Sequence, residues 1–224
     1  SARGMLVSSS KAPLFEDPEQ IVPVPRVAQL HRQRSELVLV DDGSTDRTLE
    51  LGFAEARGDP RVRMLKMKRN AGQTQAMAAG FARARGEIIV SMDGDLQNDP
   101  SDIPQMLEFA VSGEFDVVTG IRQKRKDSLV KKIPSKIANF LVRRVTKLDI
   151  KDNGCALKVF TRDIAKDLNL YGEMHRFINL LAYLEGAQIK QVPVKHHARN
   201  AGVSKYGLER VFKVVSDMML LLFI

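Results

Sequence analysis

The sequence predicts an α/β fold in which a mostly parallel sheet is flanked by helices. Three observations carry that expectation. From residue 36 onward, short apolar runs alternate with helix-patterned stretches, the signature of strands joined by helical crossovers. Two of the runs, ELVLV and EIIVSM, lead straight into acidic, glycine-containing segments, and open α/β sheets bind their ligands beyond the carboxyl ends of strands. The chain also has 224 residues, 44% of them hydrophobic, enough to bury one sizeable core.

Residues 1–35 stand apart. SSSKAPLFEDPEQIVPVPR holds four prolines after a polar start, and proline at that density opposes a regular helix or buried strand. Irregular structure is expected there, with at most a degenerate first strand. The α/β domain is expected over 36–207. Its strands read as 36–40, 62–67, 87–92, 115–120, 156–160 and 188–194. A helix should begin near Arg47, with Ser44, Thr45 or Asp46 as its cap, and a second should run from Gln73 to Ala84.

Two further helical patterns are amphipathic. Ile133, Ile137, Phe140 and Leu141 recur at helical spacing beside Lys131, Lys132, Lys136, Arg143 and Arg144, giving one basic side that is either a solvated face or an anion-binding one. Residues 208–224 place Leu208, Val211, Phe212, Val215, Met218, Met219 and Leu222 on a broad apolar face and end in MLLLFI. That stretch falls short of the roughly 18 to 20 apolar residues a membrane-spanning helix needs. It is expected to lie on a membrane surface or to open a longer helix, with a core-packed last helix as the plain alternative.

Composition narrows the partners. Lys and Arg total 35 against 27 Asp and Glu, a formal charge of +8, which favours anionic partners such as nucleic acid, phosphate groups or an acidic membrane face. Three tyrosines, no tryptophan and no recognisable binding motif argue against nucleic acid. Cys155 is the sole cysteine, so no internal disulfide framework exists, in keeping with a reducing compartment.

The chemistry sits in the acidic loops. SMDGDLQN at 91–98 sets Asp93 and Asp95 one glycine apart at a strand end, where like charges repel unless something positive is held between them. Two carboxylates and the neutral oxygen of Gln97 form a hard-oxygen set suited to magnesium or manganese. A bare turn is the alternative, and an EF-hand is excluded because its twelve-residue loop is missing. VDDGSTD at 40–46 repeats the arrangement, and Asp41 with Asp42 exceeds what helix capping requires.

Taken in order, LVLVDDGSTDRT, NAGQTQAMAAGFARARGEIIVSMDGDLQNDPSDIPQML, DVVTGIRQKRKD, DNGCALKVF, EMHRFI and HHARNAGVSKYGLERVF resemble the glycosyltransferase family 2 enzymes that make polyprenyl-phosphate sugars, such as dolichyl-phosphate mannose synthase and undecaprenyl-phosphate glucosyltransferases. The resemblance spans about residues 36–215. It implies the GT-A fold with its Rossmann-like sheet, a Mg2+ or Mn2+ cofactor, a UDP- or GDP-linked sugar as donor, and a dolichyl or undecaprenyl phosphate as acceptor. The cytoplasmic face of a membrane is the implied location, and transfer would invert the sugar's configuration.

The resemblance also implies roles for residues. Asp93, Gly94 and Asp95 match the family's DXD motif, with Gln97 as a third metal ligand, and Asp41, Asp42, Gln73 and Asp93 fall in the donor pocket. Asp95, Arg122, Arg199 and Lys205 match catalytic positions. Arg122, Lys136, Arg176, Arg199, Ser204 and Lys205 would face the acceptor phosphate. The family's first strand ends in a Pro-Val-Tyr-Asn-Glu-like segment that holds the base. Here Pro13-Leu14-Phe15-Glu16-Asp17 takes that place after SSSKA, so Pro13 and Phe15 would contact the base from a distorted strand.

Elementary chemistry agrees with these roles. A departing nucleoside diphosphate is an anion, so a divalent cation and Arg or Lys donors are the help it needs. A phosphate monoester acceptor is ionised near neutral pH and needs little base assistance. His175 in MHRF and Cys155 read as structural, and adjacent His196 and His197 would point to opposite faces of a strand rather than share a metal. The rival readings are a catalytically impaired nucleotide-sugar-binding or scaffold protein of the same fold and a sugar nucleotidyltransferase, which would need a glycine-rich, lysine-containing loop absent here.

Overall fold

The computed structural model describes the backbone of residues 4–9 and, with side chains, residues 35–123 and 149–197. Within them the strands are β1 (Gly4–Ser9), β2 (Glu36–Asp41), β3 (Val62–Lys66), β4 (Ile88–Met92), β5 (Val117–Arg122), β6 (Lys158–Thr161) and β7 (Ile189–Val194). The helices are α1 (Thr48–Gly58), α2 (Gln73–Arg83), α3 (Ile103–Val111), α4 (Arg162–Asp167) and α5 (Ile178–Leu184). All seven described strands join one sheet in the order β3-β2-β1-β4-β6-β5-β7.

Strand β1 corrects an expectation. Irregular chain with at most a degenerate first strand was expected over 1–35; Gly4–Ser9 forms a strand inside the sheet, with Leu6 beside Leu37 of β2 and Val90 of β4, parallel to both. The local signal is only Met5-Leu6-Val7 between a glycine and serines, too short to read from periodicity. Pairing on both edges, which no sequence window displays, supplies the backbone bonds that make it a strand. The first strand thus precedes Pro13 and Phe15 rather than ending at them. Those two residues, the basic helix pattern around Lys136 and the 208–224 segment lie outside the described residues.

The rest of the sheet follows the sequence pattern. Strands β1 to β4, and β5 with β7, pair in parallel, whereas β6 runs antiparallel to β4 and β5, with Val159 between Val90 and Val118. Alternate residues divide the core into two layers. Val38, Val40, Ile89, Val117 and Phe160 face one way and pack with Ala76, Met77 and Phe81 of α2, Ala165 of α4 and Ile178 and Ala182 of α5. Leu37, Ile88, Val90, Val118 and Val159 face the other way and pack with Ile103, Met106 and Ala110 of α3. Phe81 and Phe160 meet edge-on with ring centroids 5.2 Å apart, a favoured aromatic geometry that pins α2 to β6.

Strands β2 and β3 lie on one side of β1 and β4 on the other. The chain therefore reverses its direction of travel across the sheet between β1 and β4, and crossovers diverge there, leaving a crevice at the carboxyl ends. Of the capping candidates before α1, Asp46 makes the bond, its Oδ1 accepting from the Thr48 amide at 2.9 Å. Among the described residues, no helix is long and apolar enough to cross a membrane.

Candidate active site

Strand β4 ends at Met92 and delivers Asp93, Gly94 and Asp95 into the crevice. The loop turns sharply at Leu96, whose φ of 61° lies in the left-handed region, an uncommon conformation for a residue with a side chain that is found most often at functional sites. Asp95 Oδ1 accepts from the Gln97 amide at 3.2 Å, folding the carboxylate back over the turn. Asp93, Asp95 and Gln97 are all half-buried. Asp93 Oδ1 accepts from the side-chain amide of Gln73 at 2.9 Å, so the first residue of α2 touches the loop after β4.

The second acidic loop is built differently. Asp41 and Asp42 are each 3% exposed, and buried carboxylates need hydrogen-bond donors. Asp41 accepts from the amides of Gly43 and Ser44 at 3.2 Å each. Asp42 reaches across to the loop before α2, where its Oδ1 and Oδ2 accept from Ala71 at 2.7 Å and Gly72 at 2.8 Å. Asn70 completes the link by donating to the Asp42 carbonyl at 2.7 Å. Gly43 has a φ of 80°, and a Cβ there would come within 3.1 Å of the Asn70 amide nitrogen, so the approach of the two loops requires glycine. Asp42 therefore braces the start of α2, and Gln73 carries that brace to Asp93.

The arginine expected to face a phosphate is held in a fork. Arg122, at the end of β5, donates from Nε and an Nη to the two carboxylate oxygens of Asp152, both at 2.8 Å, with side chains 14% and 7% exposed. Such a fork fixes both groups. A Cβ on Gly154 would lie 2.9 Å from an Nη of the guanidinium, so the DNG turn packs directly against Arg122. Cys155 is 1% exposed, and burial pushes its thiol pKa up, consistent with the packing role read from the sequence.

Below this pair lies Lys158, 3% exposed at the start of β6, its Nζ donating to the Cys155 carbonyl. Burial pushes its pKa down, while Cys155, Asp152 and Asp93 pull the other way.

On the α2 side, Thr74 Oγ1 and His175 Nδ1 are 2.7 Å apart, giving His175 the structural role expected of it. Arg176 pairs with Glu173 at 3.0 Å. Beyond β7, the His197 amide donates to the Gln97 carbonyl at 2.8 Å, the Lys195 amide donates to Asp102 Oδ2 at 2.6 Å, and His197 Nε2 lies 3.2 Å from Asp99 Oδ2. The chain leaving β7 is thus fastened to the segment after the Asp-Gly-Asp turn.

The structure brings Asp41, Asp42, Gln73, Asp93, Gly94, Asp95 and Gln97 to one end of the sheet. It keeps Arg122 and Arg176 in ion pairs, while Lys136, Arg199, Ser204 and Lys205 fall outside the described residues. Sequence reasoning missed the roles of Thr74, Asp99, Asp102, Asp152 and Lys158. A lysine inside the apolar run ALKVF was the one visible signal, because such a charge is seldom buried unpaired. Among the described residues, no three His, Cys, Asp or Glu side chains converge as a metal cluster. The loop offers two carboxylates and one amide, a set that suits a hard cation sharing its remaining positions with phosphate oxygens and water.

Comparison with known proteins adds to this geometry. The profile of glycosyl transferase family 2 matches residues 24–168. A dodecaprenyl-phosphate galacturonate synthase from Rhizobium johnstonii is 44% identical over 219 residues, covering 94% of this chain and 65% of its own. An undecaprenyl-phosphate 4-deoxy-4-formamido-L-arabinose transferase from Pectobacterium carotovorum is 38% identical over 186 residues, covering 82% and 56%. The chain therefore spans between about half and two thirds of the length of these relatives. Among solved structures, glucosyl-3-phosphoglycerate synthase from Mycobacterium tuberculosis, in complex with Mn2+ and UDP-glucose, aligns with a TM-score of 0.66 at 16% identity, covering 97% of this chain and 76% of its own. A mannosyltransferase from Pyrobaculum calidifontis with GDP-mannose and Mn2+ aligns at 0.65 and 16% identity, covering 97% and 63%. At that identity the likeness establishes the shared GT-A fold.

Proposed function

The chain belongs to glycosyl transferase family 2, and from that membership we propose that it moves a sugar from a nucleotide donor to a polyprenyl phosphate at a membrane surface on its cytoplasmic face. The observation that carries the reading is the convergence of the Asp41-Asp42 and Asp93-Gly94-Asp95 loops at the crevice beside β1, braced through Gln73. The names of the relatives supply the class of acceptor.

Asp93, Asp95 and Gln97 would hold Mg2+ or Mn2+, which when bound supplies Lewis-acid stabilisation of the departing diphosphate. Asp41 retains acceptor capacity beyond its two amide bonds, which suits the N–H groups of a base. The acceptor's phosphate oxygen attacks the anomeric carbon, a carbon–oxygen bond forms there, and the anomeric carbon's bond to the nucleoside diphosphate breaks with its electron pair leaving on the diphosphate oxygen. Attack from the face opposite the leaving group inverts the configuration. The acceptor is already an anion, so the chain's work is to hold two anions in line rather than to take a proton.

The cations for that work are Arg199 and Lys205, with Ser204. In the chain they follow His197, whose amide donates to the Gln97 carbonyl. Arg122 serves as a positioning residue through Asp152, and Lys136 and Arg176 contribute positive potential towards the lipid phosphate. The alternative is an impaired, non-catalytic protein of the same fold; the pairing of β1 on both edges favours the catalytic reading.

The test is an assay of purified protein with Mn2+ or Mg2+, a panel of UDP- and GDP-sugars that includes a galacturonate donor, and a short polyprenyl phosphate in detergent. Labelled lipid formed only with a divalent cation supports the reading. Nucleotide binding with no transfer from any donor would favour the non-catalytic one.

A further inference from the structure

We infer that Lys158 is an internal counter-cation for the acidic site, holding the charge of Asp93 and Asp152 in balance before a divalent ion arrives and so setting how tightly that ion binds. The inference rests on the assignment of Asp93 and Asp95 as the metal-binding pair.

Its first support is placement. Lys158 sits on the antiparallel strand wedged between β4 and β5, opposite Ser91 on one side and Thr119 on the other. Ser91 stands two residues before Asp93, in the loop that follows β4, and Asp93 is among the charges that act on Lys158. On the other edge, Thr119 leads to the end of β5, where Arg122 grips Asp152. The Lys158 Nζ is bonded to the carbonyl of Cys155, in the same turn whose Gly154 amide donates to Asp152 Oδ1 at 3.1 Å.

The second support is charge. A lysine 3% exposed, with a neutral carbonyl as its hydrogen-bond partner, is costly unless carboxylates lie near. Arg122 and Lys158 supply two positive charges against Asp152 and Asp93, leaving Asp95 to carry the excess. In that arrangement Lys158 repels an incoming divalent ion and, without one, offsets part of the carboxylates' charge. Removing its charge therefore strengthens metal binding, whereas a purely structural lysine would give weaker or unchanged binding when replaced.

The experiment is titration of Mn2+ into the purified wild-type protein and into Lys158→Met and Lys158→Gln, the latter keeping a donor for the Cys155 carbonyl. Affinity is followed by the electron paramagnetic resonance of free Mn2+, and thermal unfolding is recorded with and without the ion. The expected result is Mn2+ binding about tenfold tighter in the variants, as loss of one nearby repelling charge allows, together with lower stability in its absence and a larger gain on adding it. Variants that fold only when Mn2+ is present also support the assignment. Wild-type uptake with equal or weaker affinity in the variants overturns it and leaves the metal site standing, as do variants that stay unfolded with Mn2+. No uptake by the wild type overturns both.

Discussion

The side-chain amide of Gln73 donates to Asp93 Oδ1 across 2.9 Å, joining the first turn of α2 to the loop after β4. Asp42 holds the two residues before Gln73 through their backbone amides, so the two acidic loops are one assembly. Replacing Gln73 with Ala removes one hydrogen bond that orients Asp93 while leaving both carboxylates in place. The expected outcome is a rise of about tenfold in the Mn2+ concentration needed for half-maximal transfer, comparable to the loss of a group that orients a metal ligand, with unfolding temperature little changed. A metal titration of the initial rate checks it.

Asp95→Asn keeps the shape of the loop and removes a charge. Sugar transfer to lipid phosphate should fall by about 10² to 10³-fold in kcat, the scale seen when one preorganised electrostatic contact to the reacting charge is lost. Initial rates at saturating donor measure this directly, and full activity would defeat the metal assignment.

Asp152→Asn tests the buried fork. The substitution removes the negative charge from a pair whose side chains are 14% and 7% exposed, and breaking one side of a buried pair costs about 3–5 kcal/mol. Denaturant unfolding should show a lower midpoint with an unchanged slope.

Asp99 gives a pH dependence with a definite sign. Partial burial pushes its pKa up, but the Ser101 amide, His197 and Lys195 more than offset this and hold it below the usual carboxylate range. A carboxylate whose folded pKa is depressed adds stability that is present above its unfolded value, about 3.9, and is lost as pH falls through the folded one. Asp99→Asn should therefore lower the unfolding temperature at pH 6 and narrow its gap to wild type as pH drops from 5 towards 2. A parallel pair of curves would contradict this.

Much of this was legible in the sequence. Six of the seven described strands read directly from apolar runs, because crossovers separate them with helical patterns. The Asp93–Gln97 loop was legible because two acids one glycine apart follow an apolar strand directly. β1 was not, since three apolar residues carry no period and its partners are 30 and more positions away. Arg122 is chemically suited to phosphate, and only the fold reveals that Asp152, 30 residues on, takes its guanidinium. The role of Lys158 was hidden for a related reason: the carboxylates whose charges act on it, Asp93 and Asp152, lie in loops distant in sequence or turned by the fold.

The most direct test of the central claim is the anomalous-difference map of a crystal grown with Mn2+ and a nucleotide sugar. A peak about 2.0–2.3 Å from carboxylate oxygens of both Asp93 and Asp95, with the diphosphate completing its coordination, is the expected result. A diphosphate bound with no such peak, or with Asp93 and Asp95 turned away from it, would contradict the proposed site.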